Sequence, residues 1–249
     1  MATVYDPGNH FEIKIWDVEY RREPSRALSA RVYQPQGSGP FPTLLDLHGG
    51  AWNNQDRTAN AWMDERLAAS GILVVAIDLR LAHEASYPAS VADANYGIRW
   101  LKFKASELHG DAATIGALGS SSGGHIAELC AMRPHYPAYH TLPLPEAPQL
   151  DATLNYAIAR SPISDPFARY EQAQKLQRKE LIKNSEIYFN PWEMIFEGNP
   201  QRILERGEAI SLIPMLILQG ALDDNVLPAV QERFVASYRK AGGDIDYEV

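Results

Sequence analysis

The stretch "GALGSSSGGH" (residues 116–125) sets three serines between glycines where an apolar run ends. Upstream, "ATIGALG" (113–119) reads as a short buried strand; downstream, "GGHIAELCA" (123–131) reads as the start of a helix. Between them, residues 119–123 fit G-x-S-x-G with Ser121 at the centre. The pattern suits a strand-to-helix turn so sharp that the serine occupies strained backbone, and glycine on either side lets the chain segments approach. Ordinary Gly-Ser turns share the pattern, so the elements around it have to decide.

Working outward, "TLLDLHG" (43–49), "GILVVAIDLR" (71–80), "ATLNYAIARS" (152–161) and "PMLILQG" (214–220) are further short apolar runs, the texture of strands covered on both faces. Helical candidates at 58–69, 90–104, 123–132 and 228–241 alternate with them. Strand and helix in alternation predict an α/β fold: a mostly parallel central sheet with helices on both faces. Ahead of it, "FEIKIWDVEYR" (11–21) and "LSARVYQP" (28–35) alternate apolar and polar residues, predicting antiparallel N-terminal strands. "GGDIDYEV" (242–249) reads as a final strand. One domain over 1–249 is expected, with a small cap-like insertion at about 163–212, where some fifty residues stand in place of a short connection. In it, "DPFARYEQAQKLQRKELIKN" (165–184) predicts one helix with Phe167, Tyr170, Ala173, Leu176 and Leu181 near one face.

Two further segments carry chemistry. "DLHGGAW" (46–52) follows the first buried strand, and a glycine-rich turn there leaves backbone N–H groups unobstructed for an oxyanion. The expected donors are the amides of Gly50 and Ala51, completed by that of Ser122. "LQGALDDNVLP" (218–228) puts acids at the carboxyl end of a strand, where open α/β sheets gather their sites. Asp223 is the candidate to orient a histidine and Asp224 the alternative, although Asp-Asp-Asn also makes an ordinary turn.

With these motifs in order, the chain resembles the α/β-hydrolase superfamily, in particular its hormone-sensitive-lipase-like carboxylesterase branch. "HGGAW" matches that branch's His-Gly-Gly-x signature, "DLRLAHEASYPASVAD" (78–93) its Asp-Tyr-Arg-Leu-Ala-Pro-Glu segment, and "GSSSGGH" its Gly-Asp-Ser-Ala-Gly-Gly. The departures are Leu79 for tyrosine, His83 for proline, Ala51 for glycine, and Ser120 and Ser122 beside the nucleophile. The resemblance implies a serine hydrolase acting on short or medium acyl or aryl esters through an acyl-enzyme on Ser121, with no cofactor and no metal. Trp52, Trp192 and Phe196 are expected to line an apolar pocket or else to belong to the core.

The family's chain order is Ser, Asp, His, yet all seven histidines precede Asp223. His48 belongs to the oxyanion turn, and helical geometry turns His125 away from Ser121. The expectation is a chain that stops before its base and is impaired as it stands, since a serine hydroxyl without an imidazole is a weak nucleophile. An arylformamidase-like amide hydrolase is a close variant. A non-catalytic ligand-binding protein on the same scaffold is the alternative from another class.

Composition narrows the partners. A formal charge of −8 argues against nucleic acid, whose binding rests on Lys and Arg against phosphate. One cysteine, Cys130, excludes an intramolecular disulfide, and no apolar run nears the roughly 20 residues that span a bilayer. A cytoplasmic location, a small-molecule ester as partner, no membrane and a homodimer are the resulting expectations.

Overall fold

A computed structural model describes Asp6 and residues 8–249. Eight strands form one sheet: β1 (Ile13–Arg22), β2 (Ala27–Pro35), β3 (Thr43–Leu47), β4 (Leu73–Ile77), β5 (Gly116–Ser120), β6 (Ala157–Arg160), β7 (Met215–Leu218) and β8 (Ile245–Glu248). Their order is β1-β2-β4-β3-β5-β6-β7-β8. The first two alternating segments pair antiparallel with each other, and β2 pairs antiparallel with β4. Every later pairing is parallel. The apolar runs mark these strands without fixing their ends: the run 43–49 extends past the end of β3, and the run 113–119 stops one residue short of the end of β5.

Eight helices connect the strands: α1 (Ala61–Ala69), α2 (Ala89–Lys104), α3 (Ser122–Met132), α4 (Pro166–Lys175), α5 (Lys179–Tyr188), α6 (Met194–Glu197), α7 (Pro200–Glu205) and α8 (Pro228–Lys240). Side chains alternate across a strand, so each strand feeds two layers. Leu45, Leu47, Val75, Ile77 and Ala117 pack into the larger core with α2, α3 and α8, while Leu44, Val74, Ala76 and Leu118 pack into a smaller one beneath α1. The single helix expected over 165–184 is instead two. The chain turns at Gln177, whose φ is 53°, and Leu176 on the predicted apolar face is 44% exposed. The insertion thus folds as four helices between β6 and β7, and Tyr188 and Phe189 enter the core.

The "DLRL…VAD" segment is held by buried charge. Asp93 is fully buried on α2 and accepts from the Arg80 backbone amide (2.8 Å) and guanidinium (2.7 Å) and from Arg21. Asp78 accepts from the amides of Ser29 (3.0 Å) and Arg57 (3.1 Å). Removing one member of such a network strands the others without a partner. Asp93→Ala is therefore expected to lower the unfolding free energy by about 3 kcal/mol, read from the urea midpoint.

Helix α3 is buried along its whole length and carries a carboxyl inside the core. Glu128 Oε1 lies 2.7 Å from Ser164 Oγ, whose single proton is also within reach of Gln231 Oε1 at 2.8 Å, and Oε2 has no partner. Burial pushes this carboxyl from its ordinary 4.5 up to about 8. Across that interval the folded state keeps a proton that the unfolded state releases, so folding weakens as pH rises and the loss levels off above about 8. Relative to Glu128→Gln, which cannot ionise, the natural chain is expected to lose a few kcal/mol between about pH 5 and pH 8 in paired denaturation curves.

Candidate active site

Ser121 stands between the last residue of β5 and the first of α3 with φ 54° and ψ −114°, a conformation rare for a residue with a side chain. Holding it costs on the order of 1–3 kcal/mol, which the surroundings must offset. They do so through the backbone. The Ser121 amide donates to the Arg160 carbonyl at 2.9 Å, and its own carbonyl accepts from the amides of His125 (3.1 Å) and Ile163 (3.3 Å). Two residues on, a Cβ at Gly123 would collide with the Leu47 carbonyl, so only glycine lets α3 start against the end of β3. The hydroxyl of Ser121 is thereby presented at the carboxyl edge of the sheet.

The glycine turn after β3 meets it there. Gly50, Ala51 and Trp52 all have positive φ (90°, 50° and 62°), and the Gly50 carbonyl accepts from the amides of Asn53 (3.0 Å) and Asn54 (3.1 Å). A Cβ on Gly50 would strike the Asn54 carbonyl. The amides of Gly50 and Ala51 donate to no group of the described chain, and both residues line the same cleft as Ser121. The Trp52 amide donates to the Ser122 hydroxyl at 3.1 Å, so Ser122 joins the two loops through its side chain, a link absent from the sequence reading.

Asp223 follows β7, and its Oδ1 accepts from the amides of Asn225 and Val226, both at 2.9 Å. Asp224 points to solvent and pairs with Arg178 at 2.5 Å. Of the two acids, Asp223 is the one locked into its turn. None of the seven histidines lines the cleft with Ser121. His125 has both ring nitrogens engaged, with Nδ1 accepting from Trp52 Nε1 (3.2 Å) and Nε2 donating to the Gly198 carbonyl (2.7 Å). Its burial pulls the imidazole down to about 4. His48 is buried with Nδ1 on the Gly49 carbonyl (3.0 Å), and His109 contacts the Gly37 carbonyl (3.2 Å). His10, His83, His135 and His140 are exposed.

The cleft encloses about 570 Å³ and its wall is polar. The glycine turn with Asn54, Gln55 and Asn60 lines it together with Ser120, Ser121 and Arg160. The inserted helices supply Arg169 from α4 and Glu180, Leu181 and Asn184 from α5. The three aromatics considered for an apolar pocket do not line it. Trp52 is 3% exposed and stacks on Tyr188 (4.6 Å between ring centres), Trp192 packs on Tyr170, and Phe196 packs on Phe167 beneath the Arg202 guanidinium. Their indole and phenyl faces are satisfied by other rings, which is why they leave the wall to polar side chains. Arg160, Arg169 and Asn60 were not singled out in the sequence, where they read as unremarkable polar positions. Among the described residues no group of His, Cys, Asp or Glu is placed to hold a metal ion, and no helix is long and apolar enough to cross a membrane.

The chain is similar to known proteins in sequence and in fold. The BD-FAE family model matches residues 31–237. Esterase LipC of Mycobacterium tuberculosis is 30% identical over 217 residues, which span 87% of this chain and 52% of LipC. The chain spans about half the length of curated relatives it matches. The butyrate-bound esterase Est2 of Thermogutta terrifontis superposes with a TM-score of 0.71 at 22% identity, covering 96% of this chain and 82% of that one. Esterase B of Lactobacillus rhamnosis gives 0.76 at 18% identity, covering 97% and 75%. With its family match running through β2, the glycine turn, the serine elbow and the acid loop, the chain belongs to the BD-FAE family and has the α/β-hydrolase fold of the hormone-sensitive-lipase-like carboxylesterases.

Proposed function

We propose that this protein is a serine carboxylic ester hydrolase for short or medium acyl or aryl esters. One observation carries the reading: Ser121, in positive-φ backbone, shares a cleft with the amides of Gly50 and Ala51, which have no acceptor of their own. In this scheme Ser121 Oγ attacks the ester carbonyl, and those two amides with that of Ser122 hold the oxyanion. The alcohol leaves, and water hydrolyses the acyl-enzyme. Asp223 is the acid that orients an imidazole, its loop fixed by the Asn225 and Val226 amides. Helices α4 and α5 act as a cap, since they supply one wall of the cleft. The esterase names of LipC and other relatives support the same chemistry.

In the 249-residue chain no histidine stands beside Ser121 to take its proton. A serine without a neighbouring imidazole is expected to turn over only at the level left by an oxyanion hole and binding, about 10³–10⁴-fold over water. β8 runs parallel to β7, and the Glu248 carbonyl accepts from the Gln219 amide at 2.8 Å, so residues continuing from β8 emerge beside the acid loop.

A fluorophosphonate probe is expected to label Ser121 and to spare Ser121→Ala. Turnover of p-nitrophenyl acetate is expected to be weak, and to rise at least about 100-fold when a histidine-bearing segment is appended after Val249. A chain that neither labels nor gains turnover on extension is a ligand-binding protein on this scaffold, and the hydrolase reading is then wrong.

A further inference from the structure

Arg169 is 3% exposed, yet no carboxylate lies within ion-pair distance of it. Its Nε donates to Asn225 Oδ1 (3.1 Å) and its Nη1 reaches Ser185 Oγ (3.4 Å), both neutral acceptors. Nη2 donates to nothing in the described chain, and the residue lines the Ser121 cleft. The guanidinium sits over the Trp52 ring at 5.7 Å. A buried cation without a counter-ion is expensive, and two other arginines with buried side chains avoid the expense. Arg133 pairs with Glu197 (2.7 Å) and Glu208, and Arg21 pairs with Asp93. Arg99, also without a carboxylate, spends its donors on Asn95 Oδ1 and the Leu142 carbonyl. Arg169 alone among these four turns a guanidinium edge toward a cleft that holds a candidate nucleophile.

The groups around it do not cancel its charge. Arg178 repels it and is itself paired with Asp224, while Asp223 attracts it from beyond contact distance with Oδ1 committed to two loop amides. Arg160, across the cleft, is exposed, forms no ion pair, and lies 3.5 Å from Asn60 Oδ1. Glu180 is the one carboxylate on the wall, and it is exposed on the rim. In a chain of net charge −8, the serine cleft is therefore locally cationic, and its most deeply placed charge keeps Nη2 unengaged by the described chain.

We propose that the substrate is an ester that also bears a carboxylate, such as the half-ester of a short dicarboxylic acid, and that Arg169 is the specificity-determining residue that receives this carboxylate while Ser121 faces the ester carbonyl. Guanidinium and carboxylate geometries match in a paired hydrogen bond, and the burial that makes the free cation costly makes that bond strong. Arg160 adds attraction at the entrance. The assignment rests on the hydrolase reading above for what happens to the ester, but binding of the anion is separate from the chemistry.

The test uses two phosphonate probes with a p-nitrophenyl leaving group, one with a terminal carboxylate and one with the methyl ester of that carboxylate. The natural chain is expected to label about 10- to 100-fold faster with the anionic probe, the range of a charge-assisted bond at a buried site. In Arg169→Gln this ratio is expected to fall to about 1, and Arg169→Lys to keep part of it, because a lysine retains the charge without the fork. An arginine that only ties α4 to the acid loop would slow both probes alike and leave the ratio unchanged. Equal labelling of the natural chain by the two probes overturns the proposal whether or not the variants fold. If neither probe labels this chain or the chain extended by a histidine-bearing segment, the hydrolase reading has failed. Calorimetry of Ser121→Ala with monomethyl and dimethyl glutarate then decides the anion preference: at least tenfold tighter binding of the monoester supports it, and equal binding refutes it.

Discussion

The site is organised by the contact between the start of α3 and the end of β3, where Gly123 rests against the Leu47 carbonyl. Because no side chain intervenes there, the turn from β5 into α3 is tight enough to force Ser121 into positive φ. That backbone is kept in place by bonds to three separate segments: the Arg160 carbonyl at the end of β6, the Ile163 amide in the following loop, and the His125 amide on α3 itself. The same closeness brings the β3 turn beside the serine, and the Trp52 amide bonds the Ser122 hydroxyl across the gap. Ser121 and the glycine turn are thus positioned by one packing event rather than by independent loops.

Beneath the cleft, aromatic packing performs a supporting role. Trp52 is clamped between Tyr188, His125 and Phe189, and its indole N–H is satisfied by His125. Tyr188 and Phe189 come from the end of α5, so the inserted helices are anchored directly under the glycine turn. This places Arg169 and Asn184 on the same cleft as Ser121 and ties the inserted helices to the loop after β7 through Asn225. The cleft wall that results is polar because the rings that could have lined it are already in contact with one another.

Much of this was legible in the sequence, and the reasons are local. Buried parallel strands announce themselves as short apolar runs, and the order of glycine turn, serine elbow and acid loop follows the order of the strands they end. Where local patterns mislead, tertiary contacts had overridden them. The periodicity over 165–184 suggested one helix, but the chain breaks at Gln177 and then turns the next helix toward the cleft. Trp52, Trp192 and Phe196 look like pocket aromatics by composition alone, since a sequence does not show that another ring already occupies each face.

The sequence by itself determined the α/β architecture, the turn that holds Ser121, the glycine turn that meets it and the choice of acids after β7, because each depends on residue types within a few positions of one another. It also dictated that no histidine follows Asp223 within these residues. Only the tertiary structure decided what the cleft is made of. Arg160 and Arg169 lie 39 and 48 residues from Ser121 in the chain, and the significance of Arg169 comes from desolvation and a missing counter-charge, which are properties of the folded surroundings. An arginine in a helical pattern reads as a solvated polar position until packing removes the water from around it, and no local pattern records that removal.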